Sequence, residues 1–583
     1  MKNYNNENYN KHSLYDYWIF TSHNTYLTYD QISESSNMCY YNLILNLFMG
    51  GSIEIDLYNV YEDPKTKEKD IMVKHASNQK QFIKLSKIMN TIVKTMKKKF
   101  DSIKQNISVP NGPIIVSFDN KNIITEEAQN IFWEILNKTL YNYQEYCGNI
   151  NDICPWVQII NESTINYMNL SLEELNGKIL IRGKEKRNKN NGTKTFIKPK
   201  INDNIFIHET QWFNITNTKI NAFDQINKNK NLSESLSSFG CFGSKNKNIE
   251  NVEIKHVINK NLILNSYHNL IRIYPNGIKI YSNNYDNYGF LLNGVQLLAI
   301  NLQVLDKSWF INMALFNPSF HTKCYKKICK EQYIRENMLD VHAFVLKPYW
   351  LIGLSKYPQL YDIEIQITMP IKTSDVKYSV DKKHFNDDIY ASIGNVKINT
   401  KFSNGICKLN LNGINVTNPI LFINIKHKFS SYVMAVRLLW DDTKLSNNYI
   451  KIYPIKLNKK QILFHKYNNP TISKDEESCN NSDLMDIIKQ IELEVKYDWQ
   501  LSLIKDPIID ELNKHFENYN FTNITDLNKH KQNIINKISP IQSQLDISID
   551  EDISDDENIT KILSEKKISI ENISDEADMG IDD

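Results

Sequence analysis

In "GSIEIDLY" (Gly51 to Tyr58) a run fit for a buried strand carries two carboxylates. Side chains two apart in an extended chain share a face, so Ile53, Ile55 and Leu57 lie on one side and Glu54 and Asp56 on the other. An acidic strand face without interleaved bases is either a solvated surface or a cradle for a cation. Other strand-like runs also finish in polar residues: Asp119 closes "IIVSFD", Arg182 and Lys184 close "KILIRGK", and Arg272 and Tyr274 sit in "IRIYP". Two histidines each directly follow an apolar run, His23 in "FTSHNTYLT" and His75 in "IMVKHASNQ". Carboxylate and amide oxygens favour Ca²⁺ or Mg²⁺, while two histidines leave Zn²⁺ arguable. Polar groups recurring at the ends of several strands are the pattern of an active site at the C-terminal face of a β/α barrel.

Such a barrel is what the flanking sequence predicts. From Tyr17 to Lys184 short apolar strands alternate with helical stretches. In "KLSKIMNTIVKTMKKKF", Leu85, Ile88, Met89, Ile92, Val93, Met96 and Phe100 fall at helical spacing. "PIIVSF" (113–118) and "GKILIRG" (177–183) read as strands, and Thr125 with two glutamates opens a helix over 126–140. Residues 185–202 form a polar, basic linker. Alternation resumes at 204–215 and 270–282 and stops after "VLKPYWL" (345–351). The short strands beyond it, among them "DIEIQIT", "ILFINIKHKF" and "YVMAVRLLW", predict an all-β sandwich. From about 471 the chain is polar; one amphipathic helix is expected over 482–505, then disordered acidic sequence.

The chain has 583 residues, enough for two to four domains. Its eight cysteines include no CxxC pair, which argues against a zinc site of that kind and for a reducing compartment. No apolar leader and no membrane-length apolar run is visible, so a cytoplasmic, monomeric protein is expected. Residues 545–583 hold fourteen acids against three lysines, a net −11, which leaves the first 544 residues at +13 within a total of +2. A basic body with an acidic tail implies an anionic partner, a nucleic acid or a lipid surface.

"SHNTYLTYDQ" (22–31), "EIDLY" (54–58) and "KILIRGK" (178–184) resemble the X half of eukaryotic phosphoinositide-specific phospholipase C. "SSFG" (237–240), "RIYPNG" (272–277), "SNNY" (282–285), "GVQLLAINLQ" (294–303) and "FVLKP" (344–348) resemble its Y half. The resemblance implies an α/β fold: a TIM-like β/α barrel of X half (17–184), linker (185–202) and Y half (203–352). An N-terminal extension (1–16) precedes it, and a C2-type sandwich (353–465) and a helical and acidic tail (466–583) follow. The family's N-terminal lipid-binding and EF-hand modules find no counterpart ahead of the first motif at residue 22, so either a minimal form or a fragment is expected.

Carried over residue by residue, the resemblance puts His23 and His75 in the places of the catalytic histidines, and Asn24, Glu54, Asp56 and Asp119 on Ca²⁺ ligands. Glu54 or Asp56 would serve as the base. Arg182 and Lys184 match two lysines that hold ring phosphates, and Ser238, Arg272 and Tyr274 match the remaining head-group contacts. Asp119 stands where the family usually has Glu, and Arg182 replaces a point charge by a planar fork. Asp388, Asp441 and Asp442 sit near the calcium loops of C2 domains. The implied activity is Ca²⁺-dependent hydrolysis of phosphatidylinositol 4,5-bisphosphate at an anionic membrane, with no nucleic-acid partner. A catalytically silent scaffold and a metal-dependent nuclease are the competing readings.

Overall fold

The acidic strand is buried on both faces. Strand β1 (Tyr17–Ile19) leads into a turn beside β2 (Gly51–Glu62), whose first eight residues are all buried, Glu54 at 4% and Asp56 at 0% exposure. A solvated acidic surface is thereby excluded. The computed structural model describes residues 11–27, 51–75, 82–104, 112–120, 125–147, 170–176, 179–183, 186–187, 194–195, 216–219, 258–274, 284–302, 304–318, 342–369, 387–427, 430–440, 448–458 and 493–538.

The odd-numbered face of β2 is covered because helices pack outside it. After the antiparallel β3 (Lys69–Val73) comes α1 (Leu85–Lys104). Then β4 (Ile114–Asn120) leads to α2 (Glu126–Cys147) and β5 (Ile179–Gly183). The predicted stripe of α1, Leu85 to Met96, is buried against Ile53, Ile55, Leu57, Val116, Phe118 and Ile181. The even-numbered face of β2 is thus turned toward the interior of the strand array, where it must be polar for a reason other than solvation.

The second half adds β6 (Thr216–Lys219), β7 (Ile271–Tyr274) and β8 (Leu297–Leu298), then α3 (Lys307–Phe316) and β9 (Phe344–Leu346). Seven strands run parallel in the order β5, β4, β2, β1, β8, β7, β6. The step from β2 to β1 is the bridge Ser52 to Thr21, and β1 continues to the second half through Ser22 and Ile300. Gly51, at φ +94°, allows this approach, since a Cβ there would lie 2.2 Å from the Phe20 carbonyl oxygen. β9 pairs antiparallel to β1. Among the described residues no pairing joins β5 to β6.

Two antiparallel sheets follow. One orders β13 (Ile406–Ile414), β10 (Tyr361–Thr368), β18 (Leu493–Leu501) and β16 (Asn448–Ile452). The other orders β12 (Val396–Lys401), β11 (Asp388–Ile393), β14 (Ile420–His427), β15 (Ser430–Arg437) and β17 (Ile455–Asn458). Alternate residues of both, including Ile363, Ile365, Leu421, Ile423, Val495 and Trp499, share one core. The two antiparallel sheets meet the parallel strand array through Trp350 Nε1 donating to Thr417 Oγ1 (3.0 Å) and the Tyr288 hydroxyl donating to the Asn418 carbonyl (2.7 Å).

β18 corrects the helix expected over 482–505 from Leu493 onward, residues 482–492 lying outside the described residues. Leu493, Val495, Tyr497 and Trp499 are buried at every second position, a strand period that the long polar context obscures in sequence. The chain then returns to the parallel strand array through α4 (Pro507–Leu512) and α5 (Ile524–Ile538). α5 buries Leu527, Lys531 and Ile534, and Lys531 Nζ donates to Asp16 beside β1. The acidic stretch 545–583 lies outside the described residues.

Candidate active site

The turn after β1 brings the X-half residues together. Asn24 occupies the left-handed region at φ 43°, a conformation asparagine tolerates better than most side chains. Its N–H donates to Glu54 Oε2 (3.1 Å), and the Glu54 N–H donates to Thr25 Oγ1 (3.0 Å). Thr25 and Ser22 hydroxyls are 2.5 Å apart. The turn carrying His23 and Asn24 is therefore tied to the acidic strand at main-chain level.

The remaining carboxylate comes from strand register. β2 and β4 pair in parallel with Asp56 directly opposite Asp119. Glu54, Asp56 and Asp119 place one carboxylate oxygen each within 4.8 Å of one another. Three carboxylates this close repel, and burial makes the repulsion costlier. Arg272, from β7, answers part of it: its Nη2 stands 2.7 Å from Glu54 Oε2. Burial alone would raise the Glu54 pKa, but Arg272 and His23 outweigh it and hold the carboxyl down to about 2.

Asp56 divides its two oxygens. Oδ2 accepts from the Tyr26 hydroxyl (2.7 Å) and lies 2.9 Å from His75 Nδ1. Oδ1 is buried with no hydrogen-bond partner among the described residues. Burial and the Asp56 charge raise the Tyr26 pKa well above its ordinary value, so it remains a donor. An orphaned, buried carboxylate oxygen beside two more carboxylates is a donor set fitted to a hard divalent cation. The Asn24 amide, 3.2 Å from His75 Nδ1 through Nδ2, stands next to it.

His23 lies between the two halves. Its Nδ1 is 3.0 Å from Asn301 Oδ1, its Nε2 is 3.8 Å from Glu54 Oε2, and its ring is parallel to Tyr274 at 6.3 Å. Burial, with Arg272 adding to it and Glu54 opposing, keeps the imidazole below its ordinary pKa. Arg272 also lies over Tyr274, 5.2 Å from the ring centre.

These contacts join residues from the ends of five strands and from the segment after β3 in one cluster, buried at His23, Asn24, Glu54, Asp56 and Arg272 and half-buried at His75, Asp119 and Tyr274. Residues 10–185 match the description "Phosphatidylinositol-specific phospholipase C, X domain", and residues 212–326 match its Y domain. The chain belongs to the phosphoinositide-specific phospholipase C family. No curated protein matches by sequence search. Among solved structures, PLC21 of L. pealei is 13% identical, with a TM-score of 0.47, over 88% of this chain and 59% of that one. PLC21 of S. officinalis is 13% identical at 0.46, over 90% and 60%. A calcium-dependent phosphoinositol-specific phospholipase C from the Gram-negative Pseudomonas sp is 11% identical at 0.25, over 50% and 92%. This chain thus spans about three fifths of each PLC21 chain.

Of the residues singled out in sequence, His23, Asn24, Glu54, Asp56, His75, Asp119, Arg272 and Tyr274 lie in or beside this cluster. Arg182 lies in β5 opposite Ser117, but its side chain, Lys184 and Ser238 lie outside the described residues, as do Asp441 and Asp442. Asp388, exposed at the start of β11, pairs with Lys401 at 3.2 Å. Sequence reading passed over Tyr26 and Asn301. Asn301 had a usable signal, since it closes "LLAIN" as Asp119 closes "IIVSFD".

Proposed function

We propose that the chain is a Ca²⁺-dependent phosphoinositide phospholipase C that hydrolyses phosphatidylinositol 4,5-bisphosphate to inositol 1,4,5-trisphosphate and diacylglycerol through a cyclic phosphate. The observation that carries this reading is the meeting of two histidines, three carboxylates and Arg272 at the strand ends, most of them buried. Asn24, Glu54, Asp56 and Asp119 would hold Ca²⁺, which when bound makes the inositol 2-hydroxyl more acidic and offsets phosphate charge.

The chain's own groups then divide the work. Glu54 or Asp56 accepts the 2-hydroxyl proton as that oxygen bonds to phosphorus. His75, oriented by Asp56 through Nδ1, gives a proton to the diacylglycerol oxygen as the phosphorus–oxygen bond breaks. His23, when its Nε2 carries a proton, donates a hydrogen bond to a phosphate oxygen of the crowded phosphorus centre. Arg272, Tyr274, Arg182, Lys184 and Ser238 hold the head group. A head-group phosphate that draws Arg272 away from Glu54 would return that carboxylate toward its ordinary basicity. In the second step water attacks the cyclic phosphate, the 2-oxygen leaves with the proton returned to it, and His75 takes a proton from the water.

The two-sheet domain is read as a C2 domain, and the +13 body as the means of peripheral recruitment to anionic membranes. Release of inositol trisphosphate from mixed lipid vesicles tests the function. Activity that requires Ca²⁺ and disappears in His75→Ala supports it. Binding without turnover would make the chain a scaffold, and turnover of DNA instead would make it a nuclease.

A further inference from the structure

We infer that Asn301 is a positioning residue: from the second half of the barrel it fixes the ring orientation and proton position of His23 in the first half. The inference rests on the proposed phosphodiester chemistry, because it concerns which His23 nitrogen meets the substrate. His23 Nδ1 lies 3.0 Å from Asn301 Oδ1, with both residues buried. An amide oxygen only accepts, so Nδ1 carries the proton of the neutral ring. Nε2, on the Glu54 side of the ring, is the nitrogen left for substrate.

Asn301 is itself held from behind. Its N–H donates to Asn284 Oδ1 at 2.6 Å, and its carbonyl accepts from Asn284 Nδ2 at 3.2 Å. Asn284 is bound in turn by Asp306, whose Oδ2 accepts from the Asn284 N–H (2.9 Å) and whose Oδ1 accepts from Asn284 Nδ2 (3.1 Å). Asp306 caps α3, accepting from the Trp309 N–H at 3.0 Å. The His23 N–H donates to the Ile300 carbonyl at 2.8 Å, so backbone and ring of His23 are both referred to one strand end. The Tyr274 ring, parallel to His23, lies along one side. A helix cap, two asparagines and a strand end thus form a continuous mount for a side chain contributed by the other half.

Nitrogen-15 spectra of the full chain with labelled histidine, the His23 signals assigned by their loss in His23→Gln, test this directly. The expected wild-type ring has a protonated-type Nδ1 and an unprotonated-type Nε2. In Asn301→Ala the two signals should move toward each other, and kcat on phosphatidylinositol 4,5-bisphosphate vesicles should fall about 10- to 10²-fold, the usual cost of losing an orienting partner, with KM within about twofold. Asn301→Asp keeps an acceptor and should keep the Nδ1-protonated form even if Asn301→Ala fails to fold. A wild-type ring protonated at Nε2, or a ring unchanged in Asn301→Ala, overturns the assignment. An Nδ1-protonated ring in a wild-type protein that releases no inositol phosphate would overturn the proposed function and leave the positioning intact.

Discussion

Two groups of charged side chains, at opposite ends of β1, make opposite uses of the carboxylate. At the mouth, Glu54, Asp56 and Asp119 crowd together with Arg272 paired to one of them and Asp56 Oδ1 left unpartnered. At the other end, Asp16 is a single carboxylate shared between Lys531 and His12, the latter 3.3 Å from Oδ2. Nearby Lys347 is also buried, and its Nζ donates a hydrogen bond to the Gly294 carbonyl at 2.6 Å. The mouth is left with a negative excess that a cation would complete; the base is balanced and closed by α5. Burial of charge therefore marks a functional site only where the charges do not satisfy one another.

The contrast breaks if mouth variants unfold the protein or base variants silence it. The largest effect is expected at the histidines: His75→Ala and His23→Ala should each lower turnover by at least about 10²-fold while the unfolding midpoint stays put. Near-full activity in either folded variant would remove that histidine from the chemistry.

Next comes Lys531→Ala. It leaves Asp16 buried with its main counter-ion gone, and the protein should lose ~3–5 kcal/mol of stability, read from denaturant unfolding followed by tryptophan fluorescence. Below the transition, specific activity should remain that of the wild type. A midpoint that does not move would mean α5 is a passive cover.

Asp56→Asn and Glu54→Gln should raise the free Ca²⁺ needed for half-maximal activity by at least about tenfold, because each removes a ligand charge. Metal-free stability should hold or rise as repulsion is relieved. An unchanged calcium requirement in both would rule out direct ligation.

The smallest effect near neutrality concerns Asp16 itself. Burial works to raise its pKa, but Lys531 and His12 prevail and hold it well below the ordinary 3.8. A depressed native pKa contributes stability that is full above the unfolded value and is lost as pH falls below it, by about 1.4 kcal/mol per pH unit for one proton. Stability should thus decline below about pH 4, and less steeply in Asp16→Asn combined with Lys531→Met. Equal slopes would place the acid sensitivity elsewhere.

Legibility followed the range of each interaction. The alternation of β2, the helical stripe of α1 and the polar strand ends are local patterns, so Glu54, Asp56, Asp119, Arg272 and both histidines stood out in sequence. β18 did not, because its two-residue period is embedded in polar sequence and its partners, β10 and β16, are distant along the chain. Lys531 read as one more lysine of a polar tail, since nothing local announces a counter-ion 515 residues away.

By itself the sequence determined which side chains share a strand face, which runs are helical and which motifs carry the family's chemistry, since all of these depend on neighbours a few positions apart. Only the tertiary structure decided that the acidic face is buried, that parallel register sets Asp56 opposite Asp119, and that Asn301 from one half meets His23 from the other. The reason is physical: burial, register and cross-half hydrogen bonds exist only once distant strands have paired, and no single segment contains the information that pairs them.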